Sequence, residues 1–275
     1  MRISLNDLRK FKAEGRKFSC LTCYDASMAK AMELAEIDTI LIGDSLGMAI
    51  QGRDSTLPVT VEDMAYHTAA VRRGNQHALI MTDLPFMSYA TLNDALQSSK
   101  VVMQAGAQMV KVEGGAWLAE TVQVLTRNGI PVCVHLGLTP QSVHVFGGYK
   151  LQARTREAAD QLIADCQAVV DAGAAVLLLE CVPAQLGTKP ILFRAVRAGF
   201  NDADRPWIVV SVFMFYSSTW NVCSFAGNEL SSTAAWYALN ASKIAVSPAC
   251  SFIKLRTNFA TRPKVSPSMS CTTKT

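Results

Sequence analysis

The sequence predicts an α/β protein built as a (β/α)8 TIM barrel, and three observations carry that prediction. Over residues 1–186 a capped amphipathic helix, a glycine and a short apolar strand recur as six successive units. The strands are apolar on both faces, as parallel strands covered by helices must be. Each strand also ends in a polar or charged residue, which in a barrel places those residues around one shared mouth.

The elements justify themselves in order. Helix starts are marked at Ser4 with Asp7, Thr60 with Asp63, and Thr91 with Asp94. In this S/T-x-x-D arrangement the hydroxyl and the carboxylate satisfy each other's backbone N–H groups. Helix stops are marked by Gly15, Gly74, Gly106, Gly129 and Gly173, where a left-handed cap costs glycine little. Ala105-Gly106-Ala107 and Ala172-Gly173-Ala174 read as the same helix-to-strand corner used twice. Strands are expected at 18–24, 39–43, 78–82, 108–112, 131–135 and 175–180. Their alternation with helices argues for a parallel sheet. Between Leu136 and Ala153 no period is visible; Thr139-Pro140-Gln141-Ser142, Gly147-Gly148, Phe146 and Tyr149 suggest a long ordered loop acting as a lid.

The pattern divides the chain. Residues 1–186 supply the first six β/α units of a single barrel domain, and 187–275 form a divergent C-terminal segment. Within that segment 206–213 reads as a seventh strand, and no eighth is legible, so the last two units are open. Residues 1–205 hold 20 Lys+Arg against 21 Asp+Glu, whereas 206–275 hold 6 against 1, with 19 Ser or Thr and a single Gly. These basic charges are scattered and unpatterned, which argues against nucleic acid.

At 275 residues and 50% hydrophobic, the chain can bury one large core. No run of eighteen apolar residues lacks a charge or helix breaker, and Met1–Lys17 has no apolar signal-peptide centre. The expected location is therefore the cytoplasm, without membrane contact. Of eight cysteines, Cys20 and Cys23 form a C-x-x-C, but no second pair or His cluster stands at ligand spacing. Reduced, packed thiols are the expectation.

The strand ends supply Asp25, Asp44-Ser45, Asp83, Lys111 with Glu113, His135 and Glu180. Asp44, Asp83 and Glu113 are hard oxygen ligands suited to Mg2+, and no soft ligand accompanies them. Lys111 and Glu113, two apart on a strand, point to the same side. The lysine would offset negative charge and hold a substrate carboxylate. Glu180 follows three leucines, where desolvation favours a general base. His135 reads either as a satisfied core histidine or as a hydrogen-bond donor to a carboxylate or carbonyl. Asp25 reads as a turn or cap residue, and Asp54 and Glu62 as loop or cap charges. Asp44 or Asp83 singly also reads as a helix cap, but all the carboxylates being structural at once is the weaker reading. Gly114-Gly115 alone is poor evidence for phosphate.

At these residues the sequence resembles the ketopantoate hydroxymethyltransferase family. The resemblance runs through Thr22-Cys23-Tyr24-Asp25, Ile42-Gly43-Asp44-Ser45-Leu46-Gly47-Met48 and Gly52-Arg53-Asp54-Ser55-Thr56-Leu57-Pro58-Val59-Thr60. It continues in Asp83-Leu84-Pro85-Phe86-Met87, Val110-Lys111-Val112-Glu113-Gly114-Gly115, His135-Leu136-Gly137-Leu138-Thr139-Pro140-Gln141-Ser142 and Leu179-Glu180-Cys181-Val182-Pro183. It covers about residues 5–186.

The resemblance implies a barrel of the phosphoenolpyruvate/pyruvate-binding type. It implies that Asp44 and Asp83 ligate Mg2+ and that Glu113 completes the site, partly through water. Ser45 and Lys111 would hold the substrate carboxylate near Asp83, with His135 also against the substrate, and Glu180 would abstract the C3 proton of 3-methyl-2-oxobutanoate. The enolate would take the one-carbon unit of the co-substrate 5,10-methylenetetrahydrofolate, giving 2-dehydropantoate on the route to pantothenate and coenzyme A. The family assembles as decamers, so a homo-oligomer is implied.

After Leu186 the family's glycine-rich I-G-I-G-A-G run and its later G-H-x-P-K-F-like segment have no counterpart. A change of reading frame or a fusion near residue 187 would explain this, and a divergent terminus is the competing account. Two other functions stand beside the leading one: an inactive family member, and another Mg2+-dependent 2-oxo acid lyase of the same superfamily. The catalytic cysteine loop of the lyases is not found.

Overall fold

The computed structural model describes residues 1–183, 186, 207–211 and 222–224, the last two segments as backbone. The rest of 184–275, where the sequence departs from the family pattern, lies outside the described residues. In chain order the elements are α1 (Leu5–Ala13), β1 (Ser19–Thr22), α2 (Ala26–Leu34), β2 (Thr39–Ile42), α3 (Leu46–Ala49) and α4 (Val61–Gly74). They continue with β3 (Leu79–Asp83), α5 (Leu92–Ala105), β4 (Met109–Glu113), α6 (Ala119–Arg127), β5 (Val132–Gly137), α7 (Val143–Phe146), α8 (Arg156–Asp171) and β6 (Val176–Glu180). Two further strands are β7 (Trp207–Ser211) and β8 (Val222–Ser224).

Strands β1 to β6 form a parallel sheet in sequence order, with β7 parallel to β6. The sheet curls until β7 and β8 lie near each other. This is the predicted barrel architecture, with one correction. An eighth strand exists, and it pairs antiparallel with β1, Cys20 opposite Cys223. Three residues without alternation or a preceding capped helix give no periodic signal, so it was not legible.

The three S/T-x-x-D starts are capping boxes on α1, α4 and α5. Gly15, Gly106, Gly129 and Gly173 all have positive φ just past a helix. Gly74 differs: it is the last residue of α4, and a Cβ there would run into the backbone carbonyl of Ala26. That glycine lets α4 press against the start of α2. β5 also runs two residues beyond the expected end, to Gly137.

Two apolar clusters explain how the strands are used. Ile40, Ile42, Ile80, Val110, Val112, Val134, Leu177 and Leu179 face the helices. Cys20, Leu41, Leu79, Met81, Met109, Cys133, Val176 and Leu178 fill the interior and meet Ile3, Leu8 and Phe18, so α1 plugs the N-terminal end. Cys20 and Cys23 thus belong to opposite faces, as three-residue spacing on a strand requires. Neither is in a disulfide. Among the described residues no helix is long and apolar enough to cross a membrane.

Candidate active site

Following the interior face along each strand, apolar residues give way to ionisable ones at the C-terminal end. Met81 is followed by Asp83, Met109 by Lys111 and Glu113, Cys133 by His135, and Leu178 by Glu180. The register sets these ends side by side: Asp83 opposite Lys111, Glu113 opposite His135, and Gly137 opposite Glu180. A Cβ on Gly137 would collide with the Glu180 carbonyl, so glycine permits the close approach of β5 and β6 there. Asp44 and Ser45 follow β2 after Gly43. Six ionisable side chains, Asp44, Asp83, Lys111, Glu113, His135 and Glu180, are each only 2–4% exposed.

The contacts form one network. Lys111 Nζ lies 3.0 Å from Asp83 Oδ2 and 3.4 Å from Glu113 Oε1. His135 Nδ1 is 3.0 Å from Glu113 Oε1, and its Nε2 is 3.2 Å from Glu180 Oε2. This last contact is at ion-pair distance but not aligned as a hydrogen bond, since both atoms lack a hydrogen-bond partner. The Asp44 backbone N–H donates to Asp83 Oδ2 at 3.1 Å. Ser45, half-buried at the mouth, shares a 3.0 Å hydrogen bond with the Tyr24 hydroxyl. Asp25 is a helix cap, accepting from the Met28 N–H at 2.8 Å.

The electrostatics of the ring follow from burial and from the neighbouring charges. Burial, then the charges of Glu113 and Asp83, push Asp44 well above the carboxylate range. Burial also raises Asp83, against the pull of Lys111. Glu113 is likewise penalised by burial, yet Lys111 and His135 overcome this and hold it at about 2. Burial and Lys111 work against a charged His135, but the charge and hydrogen bond of Glu113, aided by Glu180, raise it to about 9. Burial disfavours the Lys111 charge as well, and Asp83, Glu113 and Asp44 override it. Four buried carboxyl groups crowd around Lys111 and His135, and the mutual repulsion that raises Asp44 is what a divalent ion would relieve.

The donor set fits such an ion. Asp44, Asp83 and Glu113 each offer an oxygen within 4.8 Å of the other two. Asp83 Oδ1 is buried without a hydrogen-bond partner. The ligands are all hard carboxylate oxygens, the kind Mg2+ takes.

Three residues with no role assigned from sequence complete the site. Gln141 sits in a 3-10 turn, Pro140–Ser142, and its Nε2 donates to Asp44 Oδ2 at 2.8 Å. Tyr89 donates to Gln141 Oε1 at 2.5 Å, and Tyr24 braces Ser45. Pro140 signals the turn, and the aromatics stand beside strand-end motifs, but nothing local announces their partners.

A sequence model of the family described as ketopantoate hydroxymethyltransferase matches residues 2–191. The chain belongs to that family. It is 95% identical over 185 residues to the 3-methyl-2-oxobutanoate hydroxymethyltransferase of Acinetobacter baumannii (strain AYE), covering 67% of this chain and 69% of that protein. The Acinetobacter baylyi protein of the same name is 88% identical over the same length. A solved 2,3-dimethylmalate lyase, described as a member of the PEP mutase/isocitrate lyase superfamily, superposes with a TM-score of 0.56. Its identity is 16%, over 80% of this chain and 75% of that one. At that identity the likeness concerns the fold. All six ionisable residues and Ser45 fall inside the stretch matched by the ketopantoate hydroxymethyltransferase family.

Proposed function

We propose that the chain transfers a hydroxymethyl group from 5,10-methylenetetrahydrofolate to 3-methyl-2-oxobutanoate, giving 2-dehydropantoate for pantothenate biosynthesis. The observation that carries this reading is the convergence of Asp44, Asp83 and Glu113 within 4.8 Å, beside Lys111, His135 and Glu180, in a chain so similar to enzymes of that name. Asp44 and Asp83 would hold Mg2+, and Glu113 would complete its site. When bound, the ion supplies Lewis-acid stabilisation of negative charge developing on the substrate oxygens.

The protein's own groups do the rest. Lys111 presents its ammonium to the substrate carboxylate, and Ser45, braced by Tyr24, adds a hydroxyl from the mouth. Glu180 takes the C3 proton, becoming a carboxylic acid and leaving the electron pair on the enolate. His135 keeps a cationic edge 3.2 Å from Glu180 and holds that carboxylate over the substrate. Both C–N bonds of the one-carbon unit break as its carbon gains a C–C bond from the enolate and a hydroxyl from water. The proton held by Glu180 and one from water balance the two nitrogens of the departing tetrahydrofolate. Tyr149, whose hydroxyl reaches Met48 Sδ at 3.7 Å, belongs to the loop covering the mouth and limits water. Cytosolic residence and homo-oligomer formation belong to the same reading; exposed Trp117 and Tyr66 offer apolar surface for self-association.

The test is direct. The full chain, given both substrates and Mg2+, is expected to form 2-dehydropantoate detectable by mass spectrometry, with none formed in excess chelator. No product from folded protein would favour the inactive family member, and C3 proton exchange without folate-dependent product would favour another 2-oxo acid enzyme.

A further inference from the structure

Gln141 touches two of the three carboxylates through different parts of itself. Its side-chain Nε2 donates to Asp44 Oδ2 at 2.8 Å and to the Leu84 carbonyl at 3.0 Å. Its backbone N–H donates to Glu113 Oε2 at 3.0 Å. The amide orientation follows from Nε2 facing two acceptors, the Asp44 carboxylate and the Leu84 carbonyl, while Oε1 accepts from the Tyr89 hydroxyl. Gln141 is only 7% exposed, and moving the turn away would cost Asp44, Glu113 and the Leu84 carbonyl a buried hydrogen bond each.

The turn is the first anchor of the segment that follows β5. Leu138 N–H donates to the Glu180 carbonyl at 2.9 Å, and at the far end Gln152 N–H donates to the Cys181 carbonyl at 2.8 Å. Between the anchors Val145 is 87% exposed and Leu151 49% exposed. The segment after β5 is therefore fastened at its near end to the carboxylates themselves.

We propose that Gln141 is a positioning residue that couples cation binding at Asp44, Asp83 and Glu113 to the ordering of the segment 142–152. This rests on the reading of those carboxylates as a cation site. The side chain engages one Asp44 oxygen and leaves the other to the ion, and the backbone N–H holds Glu113 from the opposite side. Partners of this kind that orient ligand carboxylates are worth about 10–100-fold in metal affinity. By linkage, an ion that prefers the ordered turn also stabilises it.

The experiment measures Mn2+ affinity by electron paramagnetic resonance, and amide hydrogen exchange over 142–152 with and without Mg2+. It compares the full chain with Gln141→Leu. The wild type should bind Mn2+ and show slowed exchange in that segment on adding Mg2+. Gln141→Leu, folded by circular dichroism, should bind about 10–100-fold more weakly and lose the Mg2+-dependent slowing even at saturating ion. If Gln141→Leu does not fold, Tyr89→Phe, which removes only the hydroxyl fixing the amide, should shift both readouts in the same direction. Wild-type affinity and wild-type slowing in a folded variant would overturn the proposal while leaving the cation site standing. Absence of Mn2+ binding by the wild type would overturn both.

Discussion

Lys111 is the residue on which the unloaded site depends most. Its ammonium lies 3.0 Å from Asp83 and 3.4 Å from Glu113, and removing one partner from a buried ionic cluster typically costs about 3–5 kcal/mol. Lys111→Met should lower unfolding free energy by about that amount in urea titrations without metal, and Mg2+ should restore part of it. His135 gives a pH prediction with a definite sign. Its folded value, about 9, lies above the ordinary 6.5, so its contribution is fully present below about pH 6.5 and is lost as pH rises through about 9. Metal-free wild type should therefore lose stability relative to His135→Gln across that window, and parallel curves would contradict the assignment. The ring itself was legible from sequence because strand alternation forces Lys111 and Glu113 to one side and ends each strand at a common rim. Gln141 was not, since its partners Tyr89 and Asp44 stand 52 and 97 residues away, and no local pattern reports a buried amide's bonds.

Among the elements, α4 shows where local and distant causes part. Thr60 and Asp63 satisfy each other's backbone groups at its start. Thr60→Ala should cost about 1 kcal/mol in thermal or chemical unfolding. At its other end, helix propensity alone predicts that Gly74→Ala stabilises by about 1 kcal/mol. Packing predicts the reverse, because the added methyl would meet the Ala26 carbonyl, a backbone atom that cannot rotate aside. Destabilisation by about 1–3 kcal/mol is expected; a rise in melting temperature would show that α2 yields. The capping boxes were readable because their partners are three residues apart. The role of Gly74 was hidden because its partner belongs to another helix. The antiparallel β8 was hidden for a similar reason: among the described residues it pairs with β1, far back in the sequence, and a three-residue strand has no period.

For the whole molecule, the arrangement is an apolar plug at one end and an ionised ring at the other. Leu8 and Phe18 close the bottom against Leu79 and Met109, while Asp44, Asp83, Glu113, Glu180, Lys111 and His135 share the rim. If the rim holds a divalent ion as proposed, that ion relieves repulsion among the carboxylates and so also stabilises the fold. Mg2+ at about a hundred times its dissociation constant should add about 2.7 kcal/mol, seen as a higher melting temperature that chelator reverses. The family match ends at residue 191, with every proposed ligand and the proposed base before it. On the proposed reading, the residues for proton abstraction all lie inside the matched stretch. The most direct measurement is proton–deuterium exchange at C3 of 3-methyl-2-oxobutanoate, followed by NMR without folate, with and without Mg2+. Exchange that requires Mg2+ and is lost in a folded Glu180→Gln variant is the result expected. Exchange that persists in Glu180→Gln, or is absent from folded wild type with Mg2+, would contradict the assignment of this ring as an enolising site.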